Sequence, residues 1–406
     1  MIPIKEGHQL CALMEVAVVS MLLCLSPSSA SSEGAGLTCW NMTYEDASAR
    51  CVVPGVDGGF VMAGQAKVDG GKGLLILKVD EGGELQWYKT YEFTGQDTGS
   101  AILAEADRYA LACTIAGSGT GDDRLDIMLL TVDDRGYWGW NETLKRDAEE
   151  YATGICRSTD QGYVLSGYAL SQGRTRFDAI AAKFGQDSTL QWIREYPSGQ
   201  ANDIVPGVDG GYLLAGSRDG DGLVIKIDEA GEVVWERTYG GPEPDVANSI
   251  IRNGDGGYLV AGYTESSGAG DEDFWVFEID AQGEMAWERT YGTQERDSAR
   301  SLAHTNDGFV LGGYSGLYPM GAHFVGIDAG GDVVWETGFM PTKMDMAYAV
   351  ASDGNGFVGV GSRATDLFAL GCQEAAIIGE GPLLLAGLFL IIAMSVNRSS
   401  EGCQPE

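Results

Sequence analysis

Asp255-Gly-Gly-Tyr-Leu-Val-Ala-Gly262, then Phe274-Trp-Val-Phe-Glu-Ile-Asp280, Gly283 and Trp287-Glu-Arg-Thr-Tyr-Gly292, make one unit that returns along almost the whole 406-residue chain. A Trp closes each copy: Trp40, Trp87, Trp140, Trp192, Trp235, Trp287 and Trp335 stand 43 to 53 residues apart. Periods in this range belong to solenoids and propellers, with kelch-type blades near ~50 residues. Each copy reads as four short strands. In one of them the turn Asp209-Gly-Gly opens the second strand, Tyr212-Leu-Leu-Ala-Gly216, and the third is Leu223-Val-Ile-Lys-Ile-Asp228. A turn through Gly231 leads to the fourth, Val233-Val-Trp-Glu-Arg-Thr-Tyr239. That turn is spelled Asp-x-x-Gly at Asp80/Gly83, Asp133/Gly136, Asp228/Gly231, Asp280/Gly283 and Asp328/Gly331. An Asp carboxylate accepts the N–H groups that start a turn, and a Gly three residues on takes the positive φ of a bulged hairpin. The third copy departs, with Gly185 and Ser188 in those places.

The second and third strands are apolar on both faces, as in Leu74-Leu-Ile-Leu-Lys-Val79. A sheet with one wet face would alternate. Two buried faces fit sheets sandwiched between neighbours around an axis, with closure protecting the ends. The last copy has strands near Ala347, at Phe357-Val-Gly-Val-Gly361 and at Asp366-Leu-Phe-Ala-Leu370, then stops before any Trp. The first Trp, in Trp40-Asn-Met-Thr-Tyr44, has no strands before it. The expected fold is therefore all-β: one seven-bladed β-propeller over residues 36–374, its N-terminal strand completing the last blade. Cys39 and Cys372 flank that seam, where a disulfide would lock the ring; two unrelated free thiols are the alternative.

Residues 1–30 read as a signal peptide, with an apolar run over 10–25 and Ser-Pro-Ser-Ser-Ala30 as the cleavage region. Glu15 interrupts the run and Lys5 is the only basic residue before it; a plain N-terminal helix is the alternative. Residues 375–397 read as a C-terminal transmembrane helix. Their uncharged core, 383–396, is shorter than the roughly 20 residues that span a bilayer. Counting from Ala375 supplies the length, with Glu380 in the outer headgroup layer and Arg398 in the inner one. A hydrophobic tail packed on the ring is the alternative. Residues 398–406 would then be a short cytoplasmic tail. This places the propeller outside a prokaryotic cell, at the cell surface, on a single-pass anchor.

Asp and Glu number 59 against 26 Lys and Arg, a net charge of −33. Such a surface repels nucleic acid and anionic headgroups and favours cations. Beyond residue 30 the cysteines are Cys39, Cys51, Cys113, Cys156, Cys372 and Cys403, with no CxxC pair to suggest structural zinc. Asn41-Met-Thr43 and Asn141-Glu-Thr143 are glycosylation sequons on the exported part.

Ile227-Asp-Glu-Ala-Gly-Glu-Val-Val-Trp235 resembles the tryptophan-docking repeat of quinoprotein (PQQ-like) propellers, and Phe309-Val-Leu-Gly-Gly313 resembles the strand and glycine pair of kelch repeats. The whole pattern looks most like the repeat of secreted or surface propellers of archaea and bacteria. The resemblance spans about 335 residues and implies the fold, not an activity. Quinoprotein dehydrogenases use a disulfide between adjacent cysteines, and this chain has no Cys-Cys pair. Copper enzymes of the kelch class need His and Tyr ligands; beyond residue 30 only His304 and His323 occur, with no spacing that suggests a shared metal.

The seven repeated Trp residues are expected to pack between blades rather than form a carbohydrate-binding array. Trp138 and Trp275 lie outside that register, and either is a candidate exposed platform. Asp122, Asp126, Asp271 and Asp273 form acidic clusters in loops between second and third strands, where calcium would find carboxylate oxygens. The plainer readings are solvated turns, or a blade-joining hydrogen bond, since Asp recurs at the start of the third strand at Asp126, Asp178, Asp273 and Asp366. No nucleophile elbow, P-loop or metalloprotease helix is present, so no catalytic residue and no cofactor besides calcium is expected. The expected function is a surface-anchored, non-enzymatic binding, adhesion or envelope-scaffold module. Its partner would be an extracellular protein or glycan, met by loops such as 266–273 and 318–322. The alternative is an extracellular carbohydrate-active enzyme, hydrolase or lyase, with paired carboxylates at the channel mouth.

Overall fold

The computed structural model describes residues 20–23 and 37–374, apart from 70, 94, 117–123, 145, 172, 174, 317–319 and 340–343. Six antiparallel sheets of four consecutive strands span residues 47–91, 98–143, 148–196, 200–239, 245–291 and 297–339, here blades 1 to 6. Blade 7 takes its first three strands from Asp345–Ser352, Gly356–Arg363 and Asp366–Glu374, and its fourth from Leu37–Tyr44. The first strand of every blade pairs on one side only and touches the first strands of both neighbouring blades, including Asp345–Ser352 against Ala47–Pro54. Seven first strands in a closed cycle define an axial channel, and the ring is complete.

The seam joins chain ends by eight residue pairs, from Leu37 opposite Glu374 to Tyr44 opposite Leu367. Trp40 faces Gly371 and Thr43 faces Phe368. Cys39 and Cys372 are direct cross-strand partners, with sulfurs 2.08 Å apart in a disulfide and Cα atoms 4.1 Å apart. Ser20–Leu23 lies outside Leu37–Tyr44 as a fifth strand, Ser20 opposite Asn41.

The core is divided as the two-faced apolar strands require. Among the described residues seven apolar clusters occur, one per blade joint. In the joint of blades 1 and 2, Val61, Leu74 and Ile76 meet Leu111, Met128 and Leu130. Each second or third strand therefore serves two cores, which is why neither face alternates.

The Asp-x-x-Gly hairpins connect third to fourth strands and receive the preceding blade. Asp280 Oδ1 accepts from the N–H groups of Gln282 and Glu284, both at 2.9 Å, and Gly283 sits at φ 79°. A Cβ on Gly283 would lie 2.9 Å from Cη2 of Trp235, and the Tyr239 hydroxyl donates to the Gly283 carbonyl at 2.7 Å. The same Trp-on-Gly contact joins Trp40 to Gly83, Trp87 to Gly136, Trp192 to Gly231 and Trp287 to Gly331. So the repeated Trp and the Tyr four residues after it together clamp the next blade. In blade 3 Ser188 takes the left-handed place, at φ 68°.

Trp275 is not an exposed platform. It is 1% exposed, 4.3 Å from the Phe277 ring centroid, and its Nε1 donates to Glu288 at 3.1 Å. Trp138 is half-buried against Tyr91 and Phe93. The segment read as a membrane anchor, 375–397, and most of the segment read as a signal peptide lie outside the described residues. Among the described residues no helix is long and apolar enough to cross a membrane.

Candidate functional site at the axial mouth

Every first strand slips register by one residue at the same point, as between Ala201 and Asp203 or between Ala247 and Ser249. The extra residues are Arg50, Ser100, Thr153, Asn202, Asn248, Arg300 and Tyr348. A bulge bends the strand and re-aims one side chain. Here it turns a partly exposed residue toward the axis of an otherwise buried ring. Three of these side chains tie one blade to the next. Thr153 Oγ1 donates to Ala201 O at 2.8 Å, Asn202 Nδ2 to Ala247 O at 3.0 Å, and Asn248 Nδ2 to Ala299 O at 2.7 Å.

The bulges lie near the starts of the first strands and the ends of the second strands, so they share one face of the ring. The hairpins lie on the other. Opposite the residue two before each bulge, the second strand carries a polar residue directly after its small pair: Tyr168 opposite Tyr151, Tyr263 opposite Val246, Tyr314 opposite Ser298, Ser362 opposite Met346. Tyr151 and Tyr168 stack with ring centroids 4.9 Å apart, and Phe177 packs edge-on to both. The Arg50 guanidinium lies 4.4 Å over the Tyr348 ring, and Ser362 Oγ donates to the Tyr348 hydroxyl at 3.0 Å. Arg300 Nη2 donates to the Tyr314 hydroxyl at 3.1 Å. Burial raises the Tyr168 phenol above its ordinary value, and the Arg50 charge opposes that shift. Blades 7 and 1 thus meet through one arginine, whose charge also acts on Tyr168 of blade 3.

Acids stand just behind the mouth. Asp97, Glu150, Asp245, Asp297 and Asp345 each lie three residues before a bulge and have no exposure at all. They hold the loop that enters the blade. Asp245 Oδ2 accepts from Gly241 N at 2.7 Å and Ser266 Oγ at 2.8 Å, and Asp297 Oδ2 from Thr293 N at 2.6 Å. Asp345 receives Arg363 Nε at 3.0 Å and Nη2 at 2.9 Å. A Cβ on Gly292 would sit 2.5 Å from Asp273 Oδ1 and 2.8 Å from Asp297 Oδ2. The glycine of Thr-Tyr-Gly is there because two carboxylates occupy its side-chain space.

Burial pushes Glu150 up to about 7, with Arg146 at 3.1 Å opposing the shift, and pushes Asp203 up to about 6 against hydrogen bonds from Ile250 N, Ile204 N and Ser249. Burial also raises Asp273. These raised acids lie in blade joints, and Glu149 approaches the mouth itself, accepting from the Tyr151 hydroxyl.

Of the calcium candidates, Asp122 lies outside the described residues. Asp126 and Asp273 lie at the starts of the third strands of blades 2 and 5, with two blades between them, so the two acidic clusters are separate. Asp271 is exposed, while Asp273 Oδ2 accepts from Ala269 N at 2.9 Å and Gly270 N at 3.0 Å, the bonds of a loop tie. Among the described residues no group of three or more His, Cys, Asp or Glu could hold a metal ion. The sequons fall on fourth strands, Asn41 opposite Leu370 and Asn141 opposite Leu130, each Asn partly exposed. Loop 266–273 lies on the mouth face; part of 318–322 lies outside the described residues.

Sequence reading missed Arg50, Arg300 and the mouth tyrosines. Their signal was present in the repeat, as the variable residue after Ala in Asp-x-Ala-x and the variable residue after Ala-Gly. The register of the bulge was needed to show that these variable places share one rim.

No family model matches the chain, and no curated protein matches it. Solved structures do. The WD40 domain of Neurospora crassa Pan2 superposes with a TM-score of 0.50 at 8% identity, over 80% of this chain and 89% of that one. Chaetomium thermophilum Sqt1, solved bound to the N-terminus of the ribosomal protein L10, superposes with a TM-score of 0.50 at 10% identity, over 82% and 98%. At these identities the likeness establishes the propeller fold.

Proposed function

We propose that the protein is a non-enzymatic binding module, a rigid ring that seats a partner over the axial mouth. The observation that carries this reading is the rim of arginine and tyrosine built by the strand bulges. Partly exposed rings and free donors converge there, on a ring whose other inward positions are small or buried. Propellers of this fold serve as protein-binding scaffolds in at least one neighbour, Sqt1, which holds a peptide segment of L10.

The topology bears on how that rim would be displayed. Leu37 begins the fourth strand of blade 7 and Glu374 ends the third, and the two residues are paired. Both chain ends therefore leave the ring at one point on the hairpin face, opposite the mouth. A membrane anchor at 375–397 would hold the hairpin face inward and present the mouth to the medium. Removal of residues 1–30 would take the Ser20–Leu23 strand with it and leave blade 7 with four strands, like the other six. This exit of both strands on one face is compatible with the proposed reading of a secreted or surface propeller, outside the cell.

The test is an array of glycans and peptides probed with the full chain. Tyr168→Ala should lose the bound spots, while Arg135→Ala, an exposed hairpin-face control, should keep them. Equal binding by both variants would refute the mouth as the binding surface. In cell fractionation the full chain should stay with membranes and a chain ending at residue 374 should be released; release of both would refute the anchor.

A further inference from the structure

The balance of charge at the mouth contradicts the balance of the chain. Acids outnumber Lys and Arg by 33, so a basic side chain on this protein ordinarily finds a carboxylate. Arg146, Arg157, Arg218, Arg237, Arg296 and Arg363 all do. Among the described residues Arg50 and Arg300 make no ion pair; Arg135, Arg252 and Arg289 make none either, but only Arg50 and Arg300 stand at strand bulges. Both occupy the bulge position of a first strand, in blades 1 and 6 with blade 7 between them. Arg50 is exposed and fixed over the Tyr348 ring, and Arg300 is fixed to the Tyr314 hydroxyl. The Nε of Arg300 is buried without an acceptor. The nearby acids are engaged: Glu149 by the Tyr151 hydroxyl, and Glu272 by Arg296. Two oriented guanidinium forks with unused N–H groups, on a chain of net charge −33, mark a place for a single anionic group.

The lining points to the rest of the ligand. Along the same rim stand tyrosine faces and phenol, hydroxyl and amide groups, such as Tyr168, Tyr348, Ser362 and Asn202. Flat aromatic faces with hydrogen-bonding edges complement a pyranose, whose C–H faces stack and whose hydroxyls bridge. Resting on the binding reading above, we infer that the mouth recognises an acidic saccharide, with the carboxylate of a uronate residue held between Arg50 and Arg300 and the sugar ring stacked on the mouth tyrosines. No covalent step is involved.

The experiment is calorimetric titration of the full chain with digalacturonate, its methyl ester, a neutral disaccharide and a short oligoglutamate. Digalacturonate should bind, and the ester and the neutral sugar should bind at least ~10-fold more weakly, as expected when a charge-assisted, bidentate pair is removed. Arg50→Ala and Arg300→Ala should each weaken digalacturonate by roughly 10-fold or more, and Arg50→Lys, which keeps the charge and loses the fork, by less. Both variants should melt with the parent, since neither side chain closes an ion pair. Equal binding of acid and ester would overturn the inference and leave the mouth as a binding surface. Oligoglutamate binding without digalacturonate binding would overturn the saccharide class. Loss of array binding in Tyr168→Ala, with no dependence on Arg50 or Arg300, would likewise remove the anion site alone.

Discussion

Opening the seam should destabilise the ring in two separable steps. The Cys39–Cys372 disulfide closes a loop with a sequence separation of 333 residues. Cross-linking so long a loop restricts the unfolded chain by an amount that loop-closure entropy puts near ~6 kcal/mol. Spread over a domain of this length, whose unfolding entropy is about 0.7 kcal/mol per kelvin, that is a fall of ~8 °C in Tm on reduction or in Cys39→Ser/Cys372→Ser. The packed contacts stay in place, so cooperativity should be kept. Deleting residues 36–45 also removes Trp40, Met42 and Tyr44, which are 8%, 1% and 6% exposed. It further removes the Trp40 Nε1 bond to Glu81 O at 2.9 Å. Loss of a buried Trp and a buried Met alone costs on the order of 5–10 kcal/mol, so this variant should fail to give a cooperative transition at the parent's Tm. The assay is scanning calorimetry of the chain from residue 31 to 374 in oxidised, reduced and deleted forms, with peptide mapping of the disulfide in the oxidised form. Equal melting of the deleted and parent chains would refute the closure of blade 7 by the N-terminal strand. Equal melting of the oxidised and reduced chains would refute the locking role of the disulfide.

Gly283→Ala should cost more than ~1 kcal/mol, because φ is 79° and the new Cβ would press on Trp235 and Arg237; Gly254→Ala, with nothing within 4 Å, should be neutral by urea denaturation. Glu150 binds its proton more tightly folded than unfolded, its folded value being about 7 against an ordinary 4.5. Its contribution is therefore fully present below pH ~4.5 and lost as pH rises through ~7, up to about 3 kcal/mol. Glu150→Gln should flatten that slope, and an unchanged pH–stability profile between 4.5 and 7 would count against it. Burial raises the thiols of Cys51, Cys113 and Cys156, Cys51 to about 12, so iodoacetamide should leave all three unmodified until the ring is unfolded; rapid native labelling would contradict their burial.

The architecture was written in the chain because each blade repeats the same local chemistry. Asp280 and Gly283 form a hairpin from their own residues alone, and Trp235 recurs at the spacing that reaches such a hairpin. The missing Trp after Leu370 and the orphan Trp40 even revealed where the ring closes. Local rules suffice there, since each unit meets only its neighbours. The mouth obeys no local rule. Arg50, Tyr168 and Tyr348 belong to three blades and lie up to 298 positions apart in sequence, and no spacing announces that they meet. Their meeting depends on a one-residue bulge in each first strand, which turns positions of no evident pattern toward a common axis. Likewise Trp275 read as a free aromatic until the joint of blades 4 and 5 closed over it. Sequence alone determined the repeat, the turn chemistry and the number of blades, because these rest on contacts within a unit or between successive units. Which side chains share the rim, and which acids are sealed behind it, was decided only when circular closure brought the variable places of separate blades around one axis.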